Sequence, residues 1–326
     1  MKALLLKNLK SPLIPTVIPK PKATKNRSRI KLSFAGLNRR DYWIQQGQYP
    51  RIDLPVVLGS DGLGIDETDG RRVFFNPGLN WGENQASQQP EFQLVGMPDQ
   101  GTLAEYISVP ADKIYEVPDH LTDPEGACLP LAGVTAYRAL FIQGRLQPGQ
   151  KVLITGVGGG VASLAVKLAL AKSAQVYINS SSDEKIETVI SWGCINGWNY
   201  RTDLEWLQNA KEEVGGFDLI LDGAGGETVK DYIDVLRPGG RLVAYGATLG
   251  PWTQVPAAKV FWKQIHLTGS TMGSDQDFAD MVDFVREHQV RPYVDRVFSM
   301  DEANQAFDYL INPEAFGKIV IKINAH

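Results

Sequence analysis

The chain has 326 residues, 43% of them hydrophobic and 21% charged, and 33 Lys plus Arg stand against 37 Asp plus Glu for a formal net charge of −4. That length calls for about two domains with a sizeable buried core, and the composition excludes a wholly disordered or collagen-like chain. The slightly acidic balance argues against dedicated nucleic-acid binding, which uses basic surfaces, and Cys128 and Cys194 are too few for a disulfide framework or a four-cysteine zinc site.

From Met1 to about Tyr115, short β-rich runs (Arg29–Phe34, Arg71–Phe75, Leu103–Val109) are separated by Gly, Pro and Asn, which predicts irregular, mostly antiparallel sheet. Lys2–Arg40 is rich in basic residues, but Pro12, Pro15, Pro19 and Pro21 interrupt it, so it reads as solvated loops and short strands. Residues 83–93 are polar and predict a long surface loop. Between about Gly149 and Tyr245 the texture changes to strand and helix in turn: strand Lys151–Thr155, helix Val161–Lys172, strand Gln175–Asn179, helix Asp183–Trp192. Strand Phe217–Leu221, helix Thr228–Leu236 and strand Arg241–Tyr245 continue the alternation. Short connections between buried strands imply a doubly wound parallel sheet. Helix Phe278–His288, strand Val297–Ser299, helix Asp301–Leu310 and strand Lys318–Ile323 follow. This last piece is too small for a core of its own and is expected to rejoin the first domain.

The strongest local motif is Val152-Leu-Ile-Thr-Gly156-Val-Gly158-Gly159-Gly160-Val161-Ala162, placed between a predicted strand and a predicted helix. Glycines there allow a tight turn and close approach of a pyrophosphate, which the helix N-terminus stabilises. The nucleotide type is decided at the end of the second strand, where an NAD enzyme carries an acid for the ribose hydroxyls. Here the chain reads Asn179-Ser180-Ser181-Ser182-Asp183-Glu184-Lys185. Ser181 and Lys185, with Tyr200 or Arg201, can supply the donors and charge that a 2′-phosphate needs, which favours NADPH. Asp183 is the counter-argument, either as the NAD acid in a shifted register or as a helix N-terminal residue.

Several segments together resemble the medium-chain dehydrogenase/reductase superfamily: Gly36-Leu-Asn38-Arg-Arg-Asp41, Gly47-Gln-Tyr49-Pro50, Leu58-Gly59-Ser60-Asp61-Gly62 and Gly101–Tyr106. Leu129–Leu140, the Gly156 loop, Asp222–Gly226 and Phe316-Gly-Lys318-Ile-Val complete the set, in the family's order. The resemblance implies an α/β protein with a GroES-like β domain and a Rossmann doubly wound parallel sheet domain holding the cofactor in the cleft between them. The boundaries expected are 1–120 with 262–326 for the former and 121–261 for the latter. The zinc branch places a Cys ligand near Asn38, Gly-His-Glu at Gly59-Ser60-Asp61 and a four-cysteine lobe around residues 76–100. None of these ligands is present, and His120, His266, His288 and His326 lie outside the motifs. The resemblance is therefore to the zinc-independent quinone-oxidoreductase branch, with no metal expected.

In that branch the catalytic surroundings match Asn38, Asp41 and Tyr49, while Trp43 stands where many relatives carry a second tyrosine. Read alone, Tyr49 could be a ring packed beside Pro50, and Asn38 and Asp41 could be turn or N-cap residues. Thr135, at the start of a predicted helix, matches a nicotinamide-contacting position or is a helix cap. Thr271, Met272 and Lys318 match segments near the nicotinamide, or are core packing and a surface lysine; Gly246 joins the cofactor set with Gly156, Gly158, Gly159, Gly160 and Val161. The implied activity is hydride transfer from NADPH to a quinone or an enone, with Tyr49 and Asn38 as neutral donors to the developing oxyanion. An enoyl-thioester reductase, an alcohol dehydrogenase-like enzyme or a non-enzymatic NADPH-binding protein would carry the same motifs. The absence of an apolar run of ~18 residues and the low cysteine use suit a cytoplasmic protein without membrane contact. A homodimer pairing the sheet edge Val260–Ser270 is expected from relatives.

Overall fold

The computed structural model describes residues 1–324, which form two compact units. One comprises Met1–Val134 together with the chain from Gly273 on, and the other is Thr135–Met272. The divisions thus fall at 134/135 and 272/273, where the sequence suggested 120/121 and 261/262. No helix among the described residues is long and apolar enough to cross a membrane.

The contiguous unit is built on a six-stranded parallel sheet in the spatial order 196–199, 175–180, 151–154, 217–222, 236–244, 266–269. Numbered along the unit, that order is 3-2-1-4-5-6, the doubly wound arrangement in which ligands bind beyond the carboxyl ends of the strands. The central strands Lys151–Ile154 and Phe217–Asp222 are almost wholly buried, with Val152–Ile154 and Leu219–Leu221 continuous apolar runs, because both faces are covered. Tyr177, Trp198, Trp206 and Phe217 form an aromatic core on one side, with Tyr177 stacked on Trp198 at 5.9 Å. The last two strands differ from the sequence reading. The strand beginning at Leu236 already pairs with Phe217 and runs on through Pro238 and Gly239, because the proline ends the preceding helix at Val235. The expected edge Val260–Ser270 is strand only over His266–Gly269, and Ala257–Lys263 is a helix.

The other unit centres on a sheet in the order 114–116, 72–75, 61–66, 27–36, 318–322, 294–299, with 106–110 also pairing Arg27–Gly36. Its pairings around Arg27–Gly36 are antiparallel, and Lys318–Lys322 lies directly beside that strand. Leu32, Ile30, Phe75, Phe307 and Ile321 fill its core with a second, three-stranded sheet that contains Lys2–Leu6. The helix Asp275–Glu287 starts three residues before the expected Phe278, because Ser274 and Asp277 form a capping box. Gly36 faces the backbone of the helix Asp123–Cys128 closely: a Cβ there would lie 2.4 Å from the Ala127 carbonyl oxygen.

Candidate functional site

In the discontinuous unit, Asn38 caps the short helix Arg39–Gln45 in extended conformation, and Asp41 is its third residue. The Asp41 carboxylate accepts from the Asn38 N–H at 2.9 Å and from the Gly59 N–H at 3.3 Å. Gly59 sits at φ +99, which favours glycine, so the loop before the strand Asp61–Asp66 can turn its amide toward the helix. Asp41 is fully buried, and both its oxygens serve backbone donors. Expected among the catalytic residues, it spends both oxygens inside the protein, tying the Gly59 loop to the start of the helix. Burial pushes its carboxyl up to about 6, against the pull of Arg40, of the Asn38 N–H and of Lys318, with Asp61 adding to the rise.

Arg40, on the same helix, is also buried; its guanidinium donates to Ser60 Oγ at 2.9 Å and to the carbonyls of Val95 and Met97. Ser60 Oγ in turn donates to Val95 O at 2.7 Å. The Arg40 guanidinium carbon lies 5.1 Å from the centroid of the half-buried Tyr49 ring, a cation–π contact. Trp43 packs edge-on against Tyr42.

For Lys318 the structure excludes the simpler of the two readings, a surface lysine. It is buried at 2% exposure, and its Nζ donates to Leu37 O at 2.8 Å, Asn38 Oδ1 at 2.7 Å and Asp61 Oδ2 at 3.1 Å. It is therefore not a surface lysine, and it belongs to the Asn38 unit, whereas the other residues matched to the cofactor lie in Thr135–Met272. Asp61 also accepts from Asn38 Nδ2 at 2.9 Å and from the Leu131 N–H at 2.7 Å. Burial raises the Asp61 carboxyl, while Lys318 and these hydrogen bonds pull it down. Arg40 and Lys318 balance Asp41 and Asp61, so this buried cluster is formally neutral.

In the contiguous unit, the strand Lys151–Ile154 leads through Gly156, at φ +63, into the helix Gly160–Ala171 capped by Gly159. A glycine cap offers no side-chain acceptor, and the N–H groups of Gly160, Val161 and Ala162 have no protein acceptor among the described residues. A Cβ on Gly156 or Gly159 would meet nothing within 4 Å. Free donors at a helix start beside open space fit a pyrophosphate. Gly158 donates to Gly156 O within the turn.

Asn179, a residue the sequence reading did not select, holds this loop in place: its Oδ1 accepts from the Gly156 N–H at 2.7 Å and its carbonyl from Val157. The hydroxyl of buried Tyr232 bonds to Asn179 and Thr228, and burial raises that phenol above its ordinary range. The only advance signal for Asn179 is an amide at the end of the second strand. Asp222 holds the facing turn through Thr155 Oγ1 at 2.7 Å and the N–H of Gly225 at 2.8 Å.

Ser181 and Tyr200 directly follow the paired strand ends Ser180 and Asn199, and Lys185 lies in the first turn of the helix that comes next. Asp183 is the first residue of the helix Asp183–Ser191, and its Oδ1 accepts from Asn199 Nδ2 at 2.8 Å. Gly246 approaches Gly223 so closely that a Cβ would lie 2.7 Å from its carbonyl oxygen. Thr135 does not start a helix but is the sixth residue of Pro130–Tyr137, with Oγ1 3.7 Å from Met272 Sδ. Thr271 is exposed beside it.

His120 contacts the Val290 carbonyl, His266 lies in the edge strand and His288 packs on Phe284, while His326 lies outside the described residues. Cys128 is buried and its thiol is pushed up to about 12 by desolvation, as befits a small apolar residue.

Comparison with known proteins agrees with this architecture. The family described as "Zinc-binding dehydrogenase" matches residues 160–287, and "Alcohol dehydrogenase GroES-like domain" matches residues 24–119. The "Zinc-type alcohol dehydrogenase-like protein YogA" of Leptosphaeria maculans is 33% identical over 96% of this chain and 95% of its own. Among solved structures, an NAD-dependent alcohol dehydrogenase superposes with TM-score 0.93 at 28% identity, over 99% of this chain and 100% of that one. The quinone oxidoreductase of Thermus thermophilus, studied also in complex with NADPH, gives TM-score 0.84 at 29% identity, over 99% and 100%.

Two of these names invoke zinc, and the donor set here does not fit it. Asn38 and Ser60 are already bonded to Lys318 and Arg40, and a buried ammonium sits 3.1 Å from the Asp61 carboxylate. Among the described residues no group of three or more His, Cys, Asp or Glu is arranged to hold a metal.

Proposed function

The chain belongs to the medium-chain dehydrogenase/reductase superfamily, and we propose that this member uses NADPH to reduce a quinone or an α,β-unsaturated carbonyl without a metal ion. The observation that carries the reading is the buried cluster in which Lys318 and Arg40 engage Asn38 and Ser60, the positions where the zinc branch would keep ligands. When bound, NADPH would supply a hydride from C4 of its dihydronicotinamide ring. In an enone the hydride goes to the β-carbon, the C=C pair shifts toward the carbonyl, and negative charge gathers on its oxygen. The Tyr49 O–H and an Asn38 N–H are the neutral donors this chain offers to that oxygen. A proton from water then goes to the α-carbon, completing the two-electron reduction. A quinone takes the same hydride and proton.

The first turn of Gly160–Ala171 supports binding of the pyrophosphate, and Ser181, Lys185 and Tyr200 are the donors offered to a 2′-phosphate, while Asp183 spends one carboxylate oxygen on Asn199. Thr135, Thr271 and Met272 match family segments near the nicotinamide, and Gly246 is taken as part of the same cofactor site. The test is an acceptor panel, 9,10-phenanthrenequinone and an alkenal included, run with NADPH and NADH in parallel. Turnover with NADPH is expected, with Tyr49→Phe lowering kcat roughly a hundredfold at unchanged NADPH affinity. A preference for NADH overturns the phosphate assignment. NADPH binding without turnover across the panel leaves a binding protein, and stoichiometric zinc in the purified protein overturns the metal-free reading.

We also propose that the protein is a homodimer paired along His266–Gly269, the edge of the six-stranded sheet. That edge presents unpaired backbone groups, and the neighbouring helix Ala257–Lys263 leaves Phe261 70% and Trp262 82% exposed. A second copy would cover both features. Trp262→Lys should shift a dimer to monomer in sedimentation velocity; a wild-type monomer at micromolar concentration would sink the idea.

A further inference from the structure

Asn38, Asp61 and Lys318 form a closed circuit in which every donor and acceptor but one is accounted for. An ammonium can only donate and a carboxylate can only accept. Lys318 Nζ therefore faces the Asn38 oxygen at 2.7 Å, and Asp61 faces its nitrogen at 2.9 Å. Turning the amide over would set donor against donor and acceptor against acceptor, so its orientation is fixed. All three Lys318 hydrogens are used, on Leu37 O, Asn38 Oδ1 and Asp61 Oδ2. Both Asp61 oxygens are used as well, one of them by the Leu131 N–H. The second Asn38 N–H has no partner among the described residues, and Asn38 is the most exposed of the three, at 8% against 2% for Lys318 and 0% for Asp61.

We propose that Lys318 and Asp61 clamp the Asn38 amide and turn its free N–H into a strengthened donor for the substrate's carbonyl oxygen, an inference that rests on the reductase function proposed above. Lys318 is a positioning residue here, because its own hydrogens are spent inside the protein. Its charge acts through the amide: a cation on the amide oxygen draws electron density from the nitrogen and polarises the remaining N–H. In a low-dielectric site such bonds reinforce one another by roughly 10–30% each. Asp61 opposes this polarisation slightly, and its contribution is direction, since it pins the other N–H. The positive charge that the zinc branch would deliver by a metal is delivered in this chain through a neutral side chain.

The test has two arms. Selective ¹⁵N labelling of asparagine, with Asn38 assigned by its loss in Asn38→Ala, reads the clamp without any ligand. Two well-separated, slowly exchanging Nδ2 protons are expected in the wild type. An averaged, solvent-like pair overturns the clamp whatever the activity. The second arm follows single-turnover hydride transfer from NADPH to para-substituted chalcones in the Lys318→Met/Asp61→Asn double variant, which removes both charges together. Roughly tenfold slower transfer, a steeper dependence on the substituent and an unchanged KM are expected. A uniform loss across the series, or none, overturns the role of Lys318. If the wild type reduces no acceptor at all, the proposed function fails and the nuclear magnetic resonance arm still decides the clamp.

Discussion

Gly159→Asp is expected to destroy NADPH binding while leaving the fold as stable as the wild type or slightly more stable. Gly159 caps the helix Gly160–Ala171 from an extended conformation, φ −88 and ψ 155, which aspartate adopts without strain. A Cβ at this position meets nothing within 4 Å, so the side chain has room. An aspartate cap would accept from the unpaired N–H groups of the first turn and oppose the dipole favourably, a gain of a few tenths of a kcal/mol over glycine. The same carboxylate would stand where a pyrophosphate must come. Two like charges about 4 Å apart at a partly shielded site repel by about 4 kcal/mol, or roughly a thousandfold in Kd. Fluorescence titration with NADPH and a thermal melt read the two effects separately. Gly159→Ser, which caps without charge, should fall between wild type and aspartate in affinity. Retained affinity in Gly159→Asp would remove the nucleotide from this loop.

The second large effect is a loss of stability as pH rises from about 4 to about 6. The Asp41 carboxyl ionises near 3.8 when unfolded and at about 6 in the native protein, because burial disfavours its charge. Between those values the native state holds a proton that the unfolded chain has released, so unfolding becomes easier with each step upward in pH. Below the window both forms are protonated and no penalty exists; above it both are ionised and the penalty is complete. At 1.36 kcal/mol per pH unit the full effect is about 3 kcal/mol at most. Glu67, Asp69 and Glu302 lie below the ordinary carboxylate range and push the other way. The clean measurement is therefore the difference between wild type and Asp41→Asn in urea. The amide supplies one oxygen for the two N–H groups of Asn38 and Gly59, so the variant should be weaker at pH 4. The gap should close toward pH 7. Parallel profiles would mean that Asp41 titrates as an ordinary surface carboxylate.

What the sequence revealed of this site follows how local each feature is. The turn from Lys151–Ile154 through Gly156 into Gly160–Ala171 is written in a dozen consecutive residues, and it was legible. So was the placing of Ser181 and Lys185 after the second strand, since alternation of strand and helix fixes the phase. The Asn38 cluster needed partners far along the chain. Arg40 meets Ser60 and the carbonyls of Val95 and Met97, and nothing in Gly36–Asp41 announces them. For Lys318 the family pattern pointed to the nicotinamide and the bare residue to a surface lysine; burial excludes the second, and its acceptors, Leu37, Asn38 and Asp61, lie too far along the chain to be foreseen. Thr135 was placed at a helix start since the helix itself, Pro130–Tyr137, begins at a proline five residues earlier in an apolar run without a marked period. The helix Arg39–Gln45 is two turns long, too short for periodicity to speak.

The seat of Lys318 has a consequence for how the protein is made. Its strand, Lys318–Lys322, lies beside Arg27–Gly36 within the sheet, and its ammonium bonds to a carbonyl 281 residues earlier. During synthesis the stretch that will carry Asn38, Arg40 and Asp61 leaves the ribosome with the Asp61 carboxylate and no lysine to pair with it. The intervening Thr135–Met272 is continuous and has all its sheet strands before residue 273 is added. Maturation of the donor cluster is thus a late, long-range closure, and a shortage of full-length chain would be felt there before it reached the nucleotide loop.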